Sequence, residues 1–501
     1  MISRSMGFKK KKLIVALAAV GGMALSSSAW ALPSFARQTG WSCAACHTSY
    51  PQLTPMGRMF KLLGFTTTNL QRQQKLQAKF GNSVGVLISR VSQFSIFLQA
   101  SATNVAGGQA ALGGGNTGAS PNNNVQFPQQ VSLFYAGEIT PHIGDFLHLT
   151  YSGGGSGTGG GGFSFDDSSI VWAHPWKFGT NNLLVTGVDL NNTPTAMDLW
   201  NTTPDWQAPF FDSNYSSWGA VPLPFIENSA GAGYPLAGLG VYGADIFGPN
   251  KANWLYADAD VYTNGQGTRS NPVRGFGPGA FAGNGPQGRL SGAAPYVRLA
   301  YQHDWGNWNW EVGAYGMWSS VYDASMDTPV GGVFANYNGG PIDTFDDYDL
   351  DTQLQWLNIN DNNNLTVRAA WVHEQQGFGT GTVPSSYYSP RSTSSSGNLN
   401  YFNLNATYWY HDHYGIQGGY RNVWGSANPG LYGANFYSRS GSPDTSNEWI
   451  EASYLPWWNT RFSLRYVVYN KFRGVGAPSS SVSGYGASSY NTLELLAWIA
   501  Y

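Results

Sequence analysis

Two cysteines and a histidine are the residues whose types and spacing point most directly to chemistry. Cys43, Cys46 and His47 form a C-x-x-C-H run, and the chain has only two cysteines. This spacing is that of a c-type haem attachment site. Each thiol can form a thioether with one haem vinyl group, and the adjacent histidine can coordinate the iron from the proximal side. The sequence therefore predicts one covalently bound haem c, held by Cys43 and Cys46, with His47 as the proximal iron ligand.

A redox disulfide is the alternative use of the same two cysteines, with the histidine following by coincidence. The N-terminus favours the haem, because haem c is attached after export and residues 1–31 have the features of a signal peptide. These features are a basic stretch with Arg4 and Lys9 to Lys12, an apolar stretch over 13–25 and an A-x-A cleavage signal at 29–31. The mature chain is expected to begin at Leu32.

A short helix is predicted just after the C-x-x-C-H run. Thr54 is a suitable N-cap, Pro55 a suitable first helical residue and Gly64 a suitable C-terminal stop, so the helix should cover 55–63. A second, polar helix over about 69–79 should connect this module to the rest of the chain.

Met56 and Met59 lie on one face of the predicted helix, and both are candidate sixth ligands of the haem iron. His/Met ligation raises the potential of a haem. The alternative is that both methionines only pack against the haem edge. His148, further along the chain, is a less favoured candidate for a distal ligand.

From residue 84 onward the pattern of apolar residues has a period of two, as in β-strands. The charged fraction is only 11%, and no run after the signal peptide approaches the ~20 apolar residues of a spanning helix. Each strand-like run is long enough to cross a bilayer at a tilt. Sixteen runs begin near Val84, Gln129, Phe146, Phe165, Asn182, Tyr234, Asn253, Pro295, Asn307, Tyr348, Leu365, Leu399, Tyr414, Ser446, Thr460 and Tyr490.

Short and long connections alternate between these runs. Outer-membrane barrels place short turns in the periplasm and long loops outside. Because the first connection is long, the end of the chain is expected on the periplasmic side. The haem module is expected on the same side or inside the lumen. The short turns include 140–144, 248–251, 361–363 and 457–459. The long loops include 101–128, 191–233, 264–294, 319–347 and 375–398.

The alternation also separates lipid-facing from lumen-facing residues. In the run around Asp349 and Asp351, the apolar residues Leu350, Leu354 and Trp356 should face lipid. The residues expected in the lumen are Asp258, Asp260, Glu311, Asp349, Asp351, Gln353, Gln355, Arg368, Arg461, Arg465, Glu494 and His148. Aromatic residues at strand ends, such as Trp172, Trp176, Tyr408 and Tyr410, fit interfacial girdles.

The predicted fold is thus an all-β transmembrane barrel of 16 antiparallel strands with a small N-terminal α-helical haem c module. The divisions are a signal peptide over 1–31, a monohaem cytochrome c module over 32–81 and an outer-membrane barrel over 82–501. Residues 32–81 contain six basic residues and no acidic one, whereas the barrel has an acidic excess. This asymmetry predicts that the two parts dock on each other.

The stretch over 31–65, ALPSFARQTGWSCAACHTSYPQLTPMGRMFKLLGF, resembles one family. These are outer-membrane monohaem cytochromes fused to a porin barrel, the ferrous-iron oxidases of the iron:rusticyanin reductase type found in acidophilic iron oxidisers. The resemblance extends more weakly over the barrel. It implies an oxidoreductase that takes one electron from extracellular Fe(II), with no catalytic residue identified beyond the haem.

The resemblance also implies the partners. The electron would pass to a periplasmic blue-copper protein or a soluble cytochrome c, with outer-membrane lipid around the barrel and no nucleic-acid partner. Inward carboxylates could concentrate ferrous ions, because hard oxygen ligands suit a divalent cation.

Two other functions stay open from the sequence. The chain could be an outer-membrane diffusion porin whose haem-bearing module is a plug or sensor. It could also conduct electrons from a different extracellular donor, such as a sulfur compound or an external solid.

Overall fold

The structure, a computed structural model, describes most of the chain from residue 33 onward. The described residues are 33–67, 93–112, 122–152, 162–194, 196–202, 212–228, 236–264, 289–322, 329–330, 333–334, 342–358, 360–379, 395–428, 432 and 440–501. The predicted signal peptide, the predicted linking helix over 69–79 and the predicted strand start near Val84 lie outside them.

The N-terminal segment (33–67) consists of short elements. The helices are α1 (Pro33–Thr39), α2 (Cys43–Cys46) and α3 (Pro55–Leu62), and the strands β1 (His47–Ser49) and β2 (Gln52–Leu53) form a small antiparallel hairpin. The helix predicted over 55–63 is confirmed as α3, which ends one residue earlier. The Thr54 hydroxyl caps it by accepting a hydrogen bond from the Gly57 amide, as expected from its residue type.

The rest of the described chain is a closed antiparallel β-barrel of sixteen strands, two of which are interrupted. The first interrupted strand consists of β6 (Gly162–Phe165) and β7 (Ser169–Phe178), and the second of β11 (Arg289–Leu290) and β12 (Ala294–Trp305). The others are β3 (Phe94–Val105), β4 (Asn124–Thr140), β5 (Ile143–Ser152), β8 (Asn182–Asn191), β9 (Leu236–Phe247), β10 (Asn253–Asn264), β13 (Trp308–Tyr322), β16 (Ile342–Asn358), β17 (Asn363–Gly377), β18 (Ser396–Tyr410), β19 (Tyr414–Gly425), β20 (Thr445–Trp457), β21 (Thr460–Lys471) and β22 (Thr492–Ala500). β22 pairs with β3 and closes the barrel.

The barrel is apolar outside and polar inside. On β16, Leu350 is 57% exposed, whereas Asp349 and Asp351 are each 3% exposed. The predicted inward set is confirmed apart from His148, since Glu311, Arg465 and the other members are buried within the barrel, whereas His148 is only half-buried. Among the described helices, none has the length and hydropathy to cross a membrane.

Several strands reach further into the long connections than predicted. The loop expected over 101–128 is shorter, because Ser101 pairs with Gln126 and Thr103 pairs with Asn124. Likewise β13 ends at Tyr322 and β16 begins at Ile342. These strand ends consist largely of small and polar residues, so the apolar alternation that marks the strand centres fades before the backbone pairing does.

Small elements complete the described fold. They are the helix α4 (Phe225–Asn228), the hairpin of β14 (Pro329–Val330) and β15 (Val333–Phe334), and the 3₁₀ turns Gln109–Leu112, Trp218–Ala220, Pro249–Lys251, Pro478–Ser480 and Ala487–Tyr490. Two buried apolar clusters occupy the barrel interior. One contains Phe60 and Leu62 of the N-terminal segment, and the other contains Phe225 and Ile226 of α4.

Candidate functional site

The C-x-x-C-H run forms one compact turn. Cys43 and Cys46 begin and end the single helical turn α2, and no disulfide joins them. Burial and the neighbouring Cys43 sulfur raise the pKa of the Cys46 thiol to about 11. The two cysteines lie on one helical turn, which is the arrangement that two thioether bonds to one haem require.

His47 follows this turn directly. Its ring lies against the Tyr50 ring, with centroids 4.4 Å apart. Burial lowers the pKa of His47 to about 4, although backbone groups of Gln52 and Pro51 favour the charged form. The imidazole is therefore neutral, and its Nδ1 atom is buried without a normal hydrogen bond among the described residues. A neutral imidazole has a nitrogen lone pair that can bind iron, so these three residues fit a haem c.

Helix α3 packs directly on this turn. The Thr54 hydroxyl donates to the Ala45 carbonyl oxygen at 2.7 Å, and the Thr54 amide donates to the Cys46 carbonyl oxygen at 3.0 Å. At Gly57 the backbones approach so closely that a Cβ atom would overlap the Cys46 carbonyl oxygen. Only glycine allows this contact, so α3 and the C-x-x-C-H turn form one unit.

Met56 and Met59 are both half-buried on α3. Met59 packs against the apolar cluster of Phe60 and Leu62, which Trp41 also contacts. Their role as sixth ligands stays a prediction. His148 lies in the barrel wall, where its Nε2 is 2.9 Å from the Thr150 hydroxyl and its ring stacks on Phe134.

The N-terminal segment sits inside the barrel at the end where the short turns lie. Gln38 donates to the Ala136 carbonyl oxygen of β4 at 2.9 Å, and Gln52 donates to Thr407 of β18 at 3.3 Å. The Tyr50 ring meets Trp498 of β22 edge-on. Because these partners lie on distant parts of the wall, the segment fills this end of the lumen rather than lying below it.

Arg58 is the main polar anchor of α3 in the barrel, and sequence reasoning did not single it out for this role. Its side chain is fully buried, and burial lowers its pKa to about 10. One guanidinium nitrogen donates to Asn309 at 2.6 Å, and the other donates to Gln355 at 3.0 Å and to the Leu53 carbonyl oxygen at 2.8 Å. Two features of the sequence pointed in this direction: Arg58 is one of the six basic residues of 32–81, and Gln355 was expected to face the lumen.

A connection after β8 folds into the lumen and meets α3. Lys61 donates to the Asp198 carbonyl oxygen at 2.6 Å and to Asn201 at 2.9 Å. Trp200 is fully buried and donates to Gln302 of the barrel wall at 2.8 Å. Sequence reasoning placed residues 191–233 in a long loop and had no signal that part of it turns inward.

The same connection continues inside the end of the lumen where the long loops lie. Asp212 forms an ion pair with Arg465 at 3.4 Å, and Arg465 also pairs with Glu494 and Glu451. Further along, the amides of Phe225 and Ile226 donate to Glu374 and Asp347, respectively. The described lumen is therefore occupied from both ends.

Comparison with solved structures gives likenesses to outer-membrane barrels. The outer-membrane expressed OmpT of Vibrio cholerae is 10% identical, with 83% of this chain and 100% of that chain covered and a TM-score of 0.39. The outer membrane channel DcaP of Acinetobacter baumannii is 11% identical, with 81% and 96% covered and a TM-score of 0.40. OprB of Pseudomonas putida is 11% identical, with 81% of this chain and 93% of that chain covered and a TM-score of 0.42.

No protein-family model matches the chain, and no curated protein sequence matches it. Structural likenesses of this size do not bear on function, so the class follows from the geometry of the barrel itself. Sixteen antiparallel strands close into a barrel with an apolar outside and a polar interior, which is the architecture of outer-membrane porins. The chain is a porin-like outer-membrane β-barrel.

Proposed function

We propose that this barrel carries electrons across the outer membrane through one haem c bound to Cys43 and Cys46. In this proposal the electron comes from extracellular Fe(II) and leaves to a periplasmic blue-copper protein or a soluble cytochrome c. The observation that supports the proposal is that α3, which packs on the C-x-x-C-H turn, donates through Arg58 to Asn309 and Gln355 of the barrel wall.

The position of the turn matters because an electron crossing the membrane must pass an apolar band about 25 Å tall. A haem c supplies a one-electron redox centre when it is bound. The two thiols would attach the haem and His47 would provide its proximal ligand, while Arg58 fixes α3 to the barrel wall through Asn309 and Gln355. The lumen thereby shortens the gap that the electron has to cross.

The filled lumen is consistent with transport of an electron alone. Trp200 and the 3₁₀ turn at Trp218–Ala220 lie in the interior, and Arg421 stacks on the Trp218 ring at 3.5 Å. A wide diffusion channel needs a water-filled lumen, whereas the described interior holds two apolar clusters.

The test is stopped-flow absorbance of the purified, oxidised, haem-loaded protein mixed anaerobically with ferrous sulfate at acid pH. Fast growth of the reduced haem α band is the expected result. Absence of reduction by Fe(II), together with normal reduction by dithionite, would reject Fe(II) as the donor and would favour a different extracellular donor.

The second candidate function is a diffusion porin whose haem-bearing segment is a plug or sensor. The sixteen-stranded barrel favours this candidate more directly than it favours electron transfer, because many barrels of this size are solute channels. Conductance in a planar lipid bilayer separates the two functions. Steady ion conductance without Fe(II)-driven haem reduction would support the porin. Absence of conductance together with Fe(II)-driven haem reduction would support the electron carrier.

A further inference from the structure

We propose that Asp189, Asp258 and Asp260 form a binding site for a hard divalent cation in the wall of the lumen. Ligand oxygens of the three carboxylates lie within 4.8 Å of one another, and all three side chains are buried. Sequence reasoning placed Asp258 and Asp260 in the lumen but did not include Asp189. The proposed function enters only in naming the cation, which would then be the Fe(II) substrate.

The site is built across three neighbouring strands. In the sheet register, Asp189 of β8 and Asp260 of β10 lie on either side of Gly240 of β9. A Cβ atom at Gly240 would lie 2.8 Å from Asp189 Oδ2 and would overlap Asp260 Oδ1. The missing side chain therefore leaves the space in which the two carboxylates converge.

Most of the converging oxygen atoms lack a protein partner. Both oxygens of Asp258 and the Oδ2 atoms of Asp189 and Asp260 are buried without a hydrogen bond in the described part of the chain. Asn191 donates to the remaining oxygen of Asp189 and, at 3.4 Å, to that of Asp260. Buried carboxylate oxygens without a donor are costly, and three neighbouring carboxylates repel one another, so a cation between them would remove both penalties.

The protein cations near the site are engaged elsewhere. Arg298 lies opposite Asp258 in the sheet, but its guanidinium donates to Asp351, Thr202 and Glu311. Lys61 donates to the Asp198 carbonyl oxygen and to Asn201. The three aspartates thus offer oxygen ligands alone, a set that suits hard divalent cations.

The site lies next to the N-terminal segment. Asp258 is paired across the sheet with Tyr242, whose hydroxyl donates to the Leu62 carbonyl oxygen of α3 at 2.8 Å. One tyrosine side chain therefore separates the aspartates from the helix that packs on the C-x-x-C-H turn. A cation bound here would lie on the long-loop side of that helix.

The test uses the full-length, haem-loaded, oxidised protein in detergent at neutral pH, with Mn(II) as the probe. Binding is followed by the loss of the electron paramagnetic resonance signal of dissolved Mn(II). Wild type should bind one Mn(II) per chain, and Asp258→Asn and Asp189→Asn should each weaken binding about tenfold or more. The matched control is Asp245→Asn, an outward-facing aspartate of β9, which should bind as wild type does.

Equal Mn(II) binding by wild type and both variants, or no binding by wild type, would overturn the site. Because Asp189 and Asp258 lie on different strands, either variant alone tests the site if the other does not insert. Fe(II)-driven haem reduction is then measured on the same samples. An unchanged rate in a variant that no longer binds Mn(II) would contradict Fe(II) as the cation of this site. Mn(II) binding at the aspartates without any reduction by Fe(II) would leave the site standing and reject the proposed function.

Discussion

The two ends of the lumen are filled in different ways. At the short-turn end, the cations Arg58 and Lys61 of the N-terminal segment donate to neutral oxygens, such as those of Asn309 and Gln355. At the long-loop end, Arg465 of the barrel wall pairs directly with carboxylates. The difference teaches that the two fillings depend on different forces. At the long-loop end, ion pairs act together with the apolar packing of Phe225 and Ile226, whereas the cations of the N-terminal segment contact neutral acceptors.

This difference qualifies the docking predicted from charge. The basic segment does dock in the acidic barrel, but Arg58 and Lys61 find neutral acceptors at contact distance. Acidic groups act on Arg58 from further away, among them Asp304 and Glu311, which favour its charged form. Attraction at this range guides the segment to its place, while short contacts fix its orientation.

The largest expected effect comes from His47→Ala, which separates the chemistry of the short-turn end from the barrel around it. We expect all haem-linked redox activity to be lost while the barrel still inserts, because the barrel strands pair without His47. Visible spectra report the haem, and the heat-dependent shift in gel mobility reports the barrel. Loss of the barrel itself would contradict the division into a redox segment and a container.

Arg465→Met should have the next largest effect, and it tests the long-loop end. The substitution leaves Glu494 buried without its cation and removes one of the two arginines that pair with Glu451, which should destabilise the barrel by about 3–5 kcal/mol. Lys471→Met is the control on the same strand, because its pair with Asp444 is partly exposed at 3.3 Å and should contribute no more than about 1 kcal/mol. Urea titrations in detergent measure the free energy of unfolding of both variants. An equal loss of unfolding free energy in the two variants would contradict the role given to the buried ion pairs of Arg465.

Arg58→Met is the matching test at the short-turn end, with a smaller expected effect. It removes the donors to Asn309, Gln355 and the Leu53 carbonyl oxygen. The loss should lower the stability of the docked segment by about 1–3 kcal/mol. The expected loss is confined to the N-terminal segment, so limited proteolysis should cut that segment earlier while the barrel stays intact. Lys177→Met, at an exposed position of β7, should leave the cleavage rate unchanged. Global unfolding of the barrel by Arg58→Met would contradict the separation of the two ends.

Replacing Met56 and Met59 together by leucine is expected to have the smallest effect. Leucine keeps the packing volume but removes both thioether sulfurs, so the haem midpoint potential should fall if one of them is a ligand. Spectroelectrochemical titration measures the potential, and Met317→Leu, in the other apolar cluster, is the control. An unchanged potential would show that the sixth ligand is elsewhere.

The barrel could be predicted because apolar and polar residues alternate along the central part of most of its strands. On β16, the alternation of Asp349 and Asp351 with Leu350 identified the face that points into the lumen. The same alternation would have identified Asp189 of β8 as inward-facing, because its neighbours Val188 and Leu190 are 39% and 48% exposed. The start of α3 was predictable from Thr54 and Pro55 because caps act locally. These features depend on residues close together in the chain.

The filling of the lumen could not be predicted in the same way. Trp200 and Asp212 lie in a connection without periodicity, and their burial depends on Gln302 and Arg465, which are remote in sequence. Nothing in the local sequence distinguishes Arg58 from other basic residues of short helices, because its partners Asn309 and Gln355 are remote in sequence. Contacts of this kind follow from the closed barrel and leave no local pattern.

The most direct test of electron transfer through the lumen uses proteoliposomes that enclose oxidised soluble cytochrome c and a coloured Fe(II) chelator. Fe(II) is added outside under anaerobic conditions, and the reduced cytochrome band and the chelate colour are recorded together. Electron transfer through the barrel predicts reduction of the enclosed cytochrome without chelate colour, and no reduction with His47→Ala. Chelate colour that precedes or accompanies reduction, equally in wild type and His47→Ala, would show that Fe(II) itself crosses and would contradict the electron-carrier function.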